Sequence, residues 1–88
     1  MDLYSVRFKK SIEKDLRKIP REIIPHIFEH VENLAREPLP HDAYKLASAE
    51  NLYRIRVGEY RVIYQVLHGK REVTIFYIRH RSVAYRGL

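Results

Sequence analysis

Three arginines, Arg54, Arg56 and Arg61, fall within the stretch LYRIRVGEYRVIYQ, from Leu52 to Gln65. Before the Gly58-Glu59 pair, Tyr53, Ile55 and Val57 alternate with Arg54 and Arg56. After it, Tyr60, Val62 and Tyr64 alternate with Arg61, Ile63 and Gln65. Alternation of period two around a glycine-containing turn predicts a β-hairpin with two unlike faces. One face is apolar and the other carries three guanidinium groups. Folding gains nothing from crowding like charges, because they repel across strands; a polyanion gains from it. The guanidinium fork matches phosphate oxygens and keeps its proton at every working pH. The expected chemistry is the gripping of a phosphate.

A second set, His80, Arg81 and Tyr85, follows the last predicted strand. An imidazole exchanges a proton near neutral pH. Arg81 can stabilise charge on a phosphorane-like transition state or assist a leaving oxygen. Tyr85 can stack on a nucleobase, a contact worth roughly 1–3 kcal/mol. Other candidates carry less. His26 and His30 stand four apart on a predicted helix, but no third ligand has a suitable spacing, so the pair reads as a solvated helix face and no metal site is predicted. The Gly58 turn lacks the glycine spacing of a phosphate loop. Glu37 and Asp42 are loop acids without an evident partner.

These side chains need a scaffold. Asp2 to Phe8 alternates as a strand. Ile12, Leu16 and Ile19 form one stripe of a short amphipathic helix, with Ser11 placed to cap it and Pro20 to end it. A second helix is predicted from Arg21 to Ala35, burying Ile23, Ile27, Val31 and Leu34, with Pro25 confined to its first turn. Pro38-Leu39-Pro40 stops it. A strand begins at Lys45-Leu46, and Ala47 to Asn51 is a turn or break before the hairpin. His68-Gly69-Lys70 is a further turn. Glu72 to Ile78 is apolar on both faces, which predicts a central strand. The tail, RHRSVAYRGL, is basic. The order β-α-α-β-β-β predicts an α+β fold, with a helical hairpin on one face of a curved, largely antiparallel four-stranded sheet and the other face free.

The chain as a whole bounds these expectations. Its 88 residues suit a single domain, 1–88. A domain this small buries roughly 60–65% of the surface its unfolded chain exposes. There is no cysteine, so disulfides and thiolate zinc sites are excluded. No signal segment or bilayer-length apolar run is present, and a cytoplasmic location is expected. Residues 1–44 hold eight Lys/Arg and eight Asp/Glu, whereas residues 45–88 hold nine and three. The whole net charge of +6 therefore sits in the second half, as a basic interaction surface would require.

The blocks LYRIRVGEYRVIYQV and IRHRSVAYR closely resemble the RelE/ParE superfamily of bacterial and archaeal toxins, most strongly over residues 45–86. RelE-like members are ribosome-dependent mRNA endonucleases. They cut the A-site codon by attack of a ribose 2′-hydroxyl on the adjacent phosphate and use no cofactor. ParE-like members instead poison DNA gyrase. Both kinds are held inactive by a cognate antitoxin, here expected to be RelB-like, and reach operator DNA only through the antitoxin complex. Position by position, the resemblance places the family's basic strand residues on Arg54 and Arg56. Its phosphate-stabilising arginine falls on Arg61, its post-strand arginine on Arg81 and its base-stacking tyrosine on Tyr85. Lys45, Arg79 and Arg86 are expected to extend the RNA-contacting set. Well-studied RelE enzymes carry lysines where this chain has Arg54 and Arg56. Arginine is a poor general base, so His80 is the preferred proton acceptor. A C-terminal helix found in some relatives has no counterpart before Leu88. The expectation is an mRNA interferase; the alternatives are a gyrase inhibitor or an inactive antitoxin-binding relative.

Overall fold

The computed structural model describes residues 3–47 and 49–88. Strand β1 spans Ser5–Phe8, helix α1 Ile12–Arg17 and helix α2 Ile24–Asn33; strands β2 (Tyr44–Lys45), β3 (Leu52–Val57), β4 (Tyr60–Leu67) and β5 (Glu72–His80) follow. They form one sheet in the order β1-β5-β4-β3-β2, with β1 parallel to β5 and all other pairs antiparallel. The sheet has five strands rather than the four expected, because Tyr44–Lys45 pairs with Arg54 and Tyr53 as a short edge strand of its own. Of the residues expected to open β1, Asp2 lies outside the described residues, as does Ser48 in the expected turn before the hairpin.

Local sequence explains the boundaries. Pro25 sits in the first turn of α2, where its missing N–H costs little. Ser11 occupies the N-cap position of α1, but its side chain makes no capping bond. Both helices are shorter than their apolar stripes, because Lys18 to Ile23 and Leu34 to Arg36 continue as hydrogen-bonded turns. Gly58 has φ +58° at the first position of the two-residue β3–β4 loop, the geometry a type II′ hairpin asks of glycine. In the β4–β5 turn the left-handed residue is Arg71, at φ 51°, and not Gly69.

One core lies between the helices and the sheet. Ile12 and Ile19 from the first helical stretch, with Ile27, Val31 and Leu34 from the second, pack on Ile55, Val57, Val62, Tyr64, Val66, Val73, Ile75 and Ile78. As expected, the helical pair covers one face and β5 is interior. The strand β5 does not alternate throughout. Ile63 pairs with Tyr77 and Tyr64 with Ile75, so Phe76 is an unpaired extra residue, a β-bulge. The bulge reverses the phase of the strand. Val73 and Ile75 face the helices before it, and Ile78 does so after it.

The other face is not free. Residues 81–87 turn back over it, and Ala84 is buried with Leu52 and Ile63 in a second, smaller cluster flanked by Leu46, Phe76 and Tyr77.

Tyr64 anchors the main core. Its ring has no solvent exposure, and its hydroxyl donates to the Pro38 carbonyl at 2.8 Å, tying β4 to the loop after α2. Burial, then the Asp42 carboxylate and Tyr53, push its phenol above the ordinary tyrosine range. Tyr64→Phe should cost about 1–2 kcal/mol at neutral pH, because the Pro38 carbonyl loses its donor. The folded phenol binds its proton more tightly than the unfolded one, so this stabilisation is complete below the unfolded value of about 10 and is lost as pH rises past it. The melting temperatures of wild type and Y64F should therefore converge in alkali.

Candidate nucleic-acid interface

The register of three strands sets the basic face. Arg56 lies opposite Arg61, and Arg61 lies opposite Arg79. Side chains directly opposite in an antiparallel pair share a face with Cβ atoms about 4.5–5.5 Å apart. The three arginines form one row across β3, β4 and β5, on the face away from the helices. The next row inward holds Tyr44, Arg54, Ile63 and Tyr77. Arg54, Arg56 and Arg61 thus share a face as the alternation predicts, and the bulge at Phe76 brings Arg79 to join them.

Each guanidinium is held differently. Arg61 Nη1 donates to the carbonyls of Gly58, at 3.0 Å, and Tyr60, at 2.9 Å, which fastens it to the hairpin turn. Arg79 lies over the Tyr77 ring, 3.7 Å from its centroid, and its Nη1 donates to the Arg86 carbonyl at 2.9 Å. Arg56 is exposed and has no hydrogen-bond or ion-pair partner among the described residues. None of the three is paired with an acid among those residues, so their charge is offered to solvent. Arg54 is engaged by rings instead. It lies over Tyr44, 4.8 Å from the centroid, and its Nε donates to the Tyr85 hydroxyl at 3.1 Å.

The remaining expected site residues are distributed around this row. Tyr85 reaches the face because the turns after β5 carry it back over Leu52 and Ile63. Arg81 sits at the hairpin end, where its Nε meets Glu59 Oε1 at 3.2 Å and its backbone N–H donates to the Glu59 carbonyl at 2.8 Å. Both of these side chains are largely exposed. Arg86 contributes its carbonyl to Arg79. Lys45 lies opposite Tyr53, whose ring packs on the main core, so its register puts it on the other side of the sheet edge.

His80, next to Arg79 on β5, points to the opposite face from the row. It lies opposite Tyr60, contacts that ring edge-on with centroids 5.6 Å apart, and lines a pocket of ≈ 370 Å³ with Asp15, Lys18 and Ile19 on one side and Arg79 and Arg86 on the other. Its Nδ1 accepts from the Ser82 backbone N–H at 3.2 Å and lies 2.8 Å from the Ser82 hydroxyl. A backbone N–H can only donate, so the neutral ring carries its proton on Nε2. On the helix α2, His26 and His30 contact each other edge-on; no group of three His, Cys, Asp or Glu able to hold a metal occurs among the described residues. Among those residues no helix is long and apolar enough to cross a membrane.

Most of the chain's length is similar to known proteins. A family model described as ParE toxin of type II toxin-antitoxin system, parDE, matches residues 6–85. RelE1 of Methanocaldococcus jannaschii is 31% identical over 87 residues, covering 96% of this chain and 97% of that protein. The archaeal RelE-RelB complex from Pyrococcus horikoshii contains a chain 32% identical to this one, with a TM-score of 0.79 over 96% of this chain and all of that one. The toxin-antitoxin complex RelBE2 of Mycobacterium tuberculosis matches at 32% identity and a TM-score of 0.77, covering 90% and 99%.

The second cluster makes the face depend on a small residue. Ala84→Asp places an unpaired carboxylate against Leu52 and Ile63, at an expected cost of about 1–3 kcal/mol. The main core should survive. Hydrogen exchange should speed up at the Val83 and Arg86 amides, which bond to the His80 and Val83 carbonyls, while the β4 and β5 amides stay protected.

Proposed function

The chain belongs to the ParE toxin family of type II toxin–antitoxin systems, within the RelE/ParE superfamily, and on that premise we propose that it is a RelE-like mRNA endonuclease. The observation that carries the proposal is the unpaired arginine row Arg56–Arg61–Arg79, bordered by Tyr85. Guanidinium groups spaced along one line suit consecutive phosphates, and an exposed phenol ring beside them suits an unstacked base.

RNA brings its own nucleophile, so such a site needs alignment and charge compensation more than it needs a metal or a covalent intermediate. The 2′-oxygen attacks the neighbouring phosphorus, the bond to the 5′-oxygen breaks, and a 2′,3′-cyclic phosphate and a 5′-hydroxyl result. Arg61, fixed on the hairpin carbonyls, and Arg56 stabilise the extra negative charge on the phosphoryl oxygens. Arg79 holds the adjoining phosphate. Arg81, exposed beside Glu59, donates a hydrogen bond to the departing 5′-oxygen. The proton from the 2′-hydroxyl and the one taken up by the leaving oxygen are exchanged with water. His80, with Nδ1 occupied by Ser82 and its ring against Tyr60, is assigned no step.

A RelB-like antitoxin is the proposed partner, since the P. horikoshii and M. tuberculosis relatives occur in complexes with theirs. Such a partner covers the arginine face best if it is acidic. Operator DNA would be contacted through that complex, and the substrate is mRNA on the ribosome.

Primer extension on mRNA from cells expressing the chain tests the proposal. Wild type should give cuts within A-site codons. Arg56→Ala and Arg61→Ala should each lower the cleavage rate by about a hundredfold, in line with the loss of one preorganised donor. His80→Gln should stay within about tenfold of wild type, a general acid or base being worth at least that much more. Intact transcripts together with a DNA-damage response would instead support a gyrase poison.

A further inference from the structure

Tyr44 belongs to neither apolar cluster, and 62% of it is exposed. A lone exposed aromatic needs no explanation, but this one is not alone. It stands opposite Arg54 on the arginine-bearing face, and the Arg54 guanidinium lies over its ring at 4.8 Å. The same guanidinium donates through Nε to Tyr85, a residue 46% exposed. One planar cation therefore braces two phenol rings, each with much of its surface in water. Arg54 keeps its positive charge while it braces them. The face is thus divided into a row that offers charge, Arg56–Arg61–Arg79, and beside it a group that offers flat surfaces, Tyr44, Arg54 and Tyr85.

We infer that Tyr44 is a second base platform, and that with Tyr85 it clamps two unstacked nucleobases of a single strand whose backbone lies on the arginine row. This rests on the reading of the face as an RNA site and adds the ring that sets where the strand runs toward β2. Single strands are the substrate class because a base must leave its stack to present a face to a side chain. Aromatic stacking tolerates any base, so the clamp fixes position along the strand more than sequence.

The test measures binding apart from cutting. A short single-stranded RNA, 2′-O-methylated so that it resists cleavage, and its abasic counterpart are titrated against the purified chain. Tyr44→Ala should weaken binding of the base-bearing strand by about tenfold and leave the abasic strand unchanged, while Tyr44→Phe should bind like wild type. Equal affinities of wild type and Y44A overturn the clamp. An equal loss on both strands also overturns it, because Tyr44 would then act only by holding Arg54. Failure of wild type to bind either strand overturns it as well. Cleavage of mRNA by wild type is scored in parallel. A chain that cuts mRNA but binds without regard to Tyr44 keeps the nuclease and loses the clamp. A chain that cuts nothing yet binds bases through Tyr44 keeps the clamp and loses the nuclease.

Discussion

One extra residue in β5 organises the site. Side chains on a strand alternate faces, so Val73 and Ile75 in the core would carry Tyr77 and Arg79 to the same side, and Ile78 and His80 to the other. The bulge at Phe76 breaks that phase. Beyond it Ile78 enters the core, while Tyr77 and Arg79 turn to the open face. Burial of Ile78 favours the switch, since full burial of an isoleucine is worth roughly 1.5–3 kcal/mol. The main-chain N–H of Ile78 also donates to Asp15 Oδ2 at 3.0 Å, which fastens the post-bulge strand to α1. The same hydrophobic requirement that seats Ile78 therefore sets Arg79 opposite Arg61.

The resulting row is a local cost to folding. Like charges directly opposite on adjacent strands destabilise by up to about 1 kcal/mol per pair. Among the described residues no acid offsets this repulsion. Arg61 is held by hairpin carbonyls and Arg79 by a ring face and a tail carbonyl, contacts that orient a guanidinium and leave its net charge in place. The nearby acid Glu59 is directed to Arg81 instead. An uncompensated charge on a rigid sheet attracts a polyanion and pays little reorganisation when it binds. The same property suits an acidic partner that neutralises the face.

The returning tail gives the face its second material. Without Ala84 seated on Leu52 and Ile63, Tyr85 would not meet Arg54, and Arg79 would lose the Arg86 carbonyl. The tail thus supplies both a ring and a brace. A residue as small as alanine suits the position because the sheet surface there is already filled by Phe76 and Tyr77.

Much of this was legible in the residues. The alternation of arginines with β-branched and aromatic residues sufficed for the hairpin and for the common face of Arg54 and Arg56, because period two is a local property of extended backbone, and the two-residue loop brings Arg61 opposite Arg56. Apolar stripes and prolines located the helices to within a turn or so, and the helical pair's packing on one side of the sheet followed from those stripes. The tertiary structure decided what local periodicity cannot carry. The two-residue strand β2 is too short to have a period and exists only through its pairing with β3, which is also what places Tyr44 on the arginine face and turns Lys45 away. The bulge is a matter of register between strands, invisible in a run that is apolar on both sides. By unbroken alternation His80 takes the open face and Arg79 the core side; packing of Ile78 exchanges them. Sequence alone determined that an arginine-bearing surface would exist on this sheet, while the register of β5, set by the burial of one isoleucine, decided which side chains compose it.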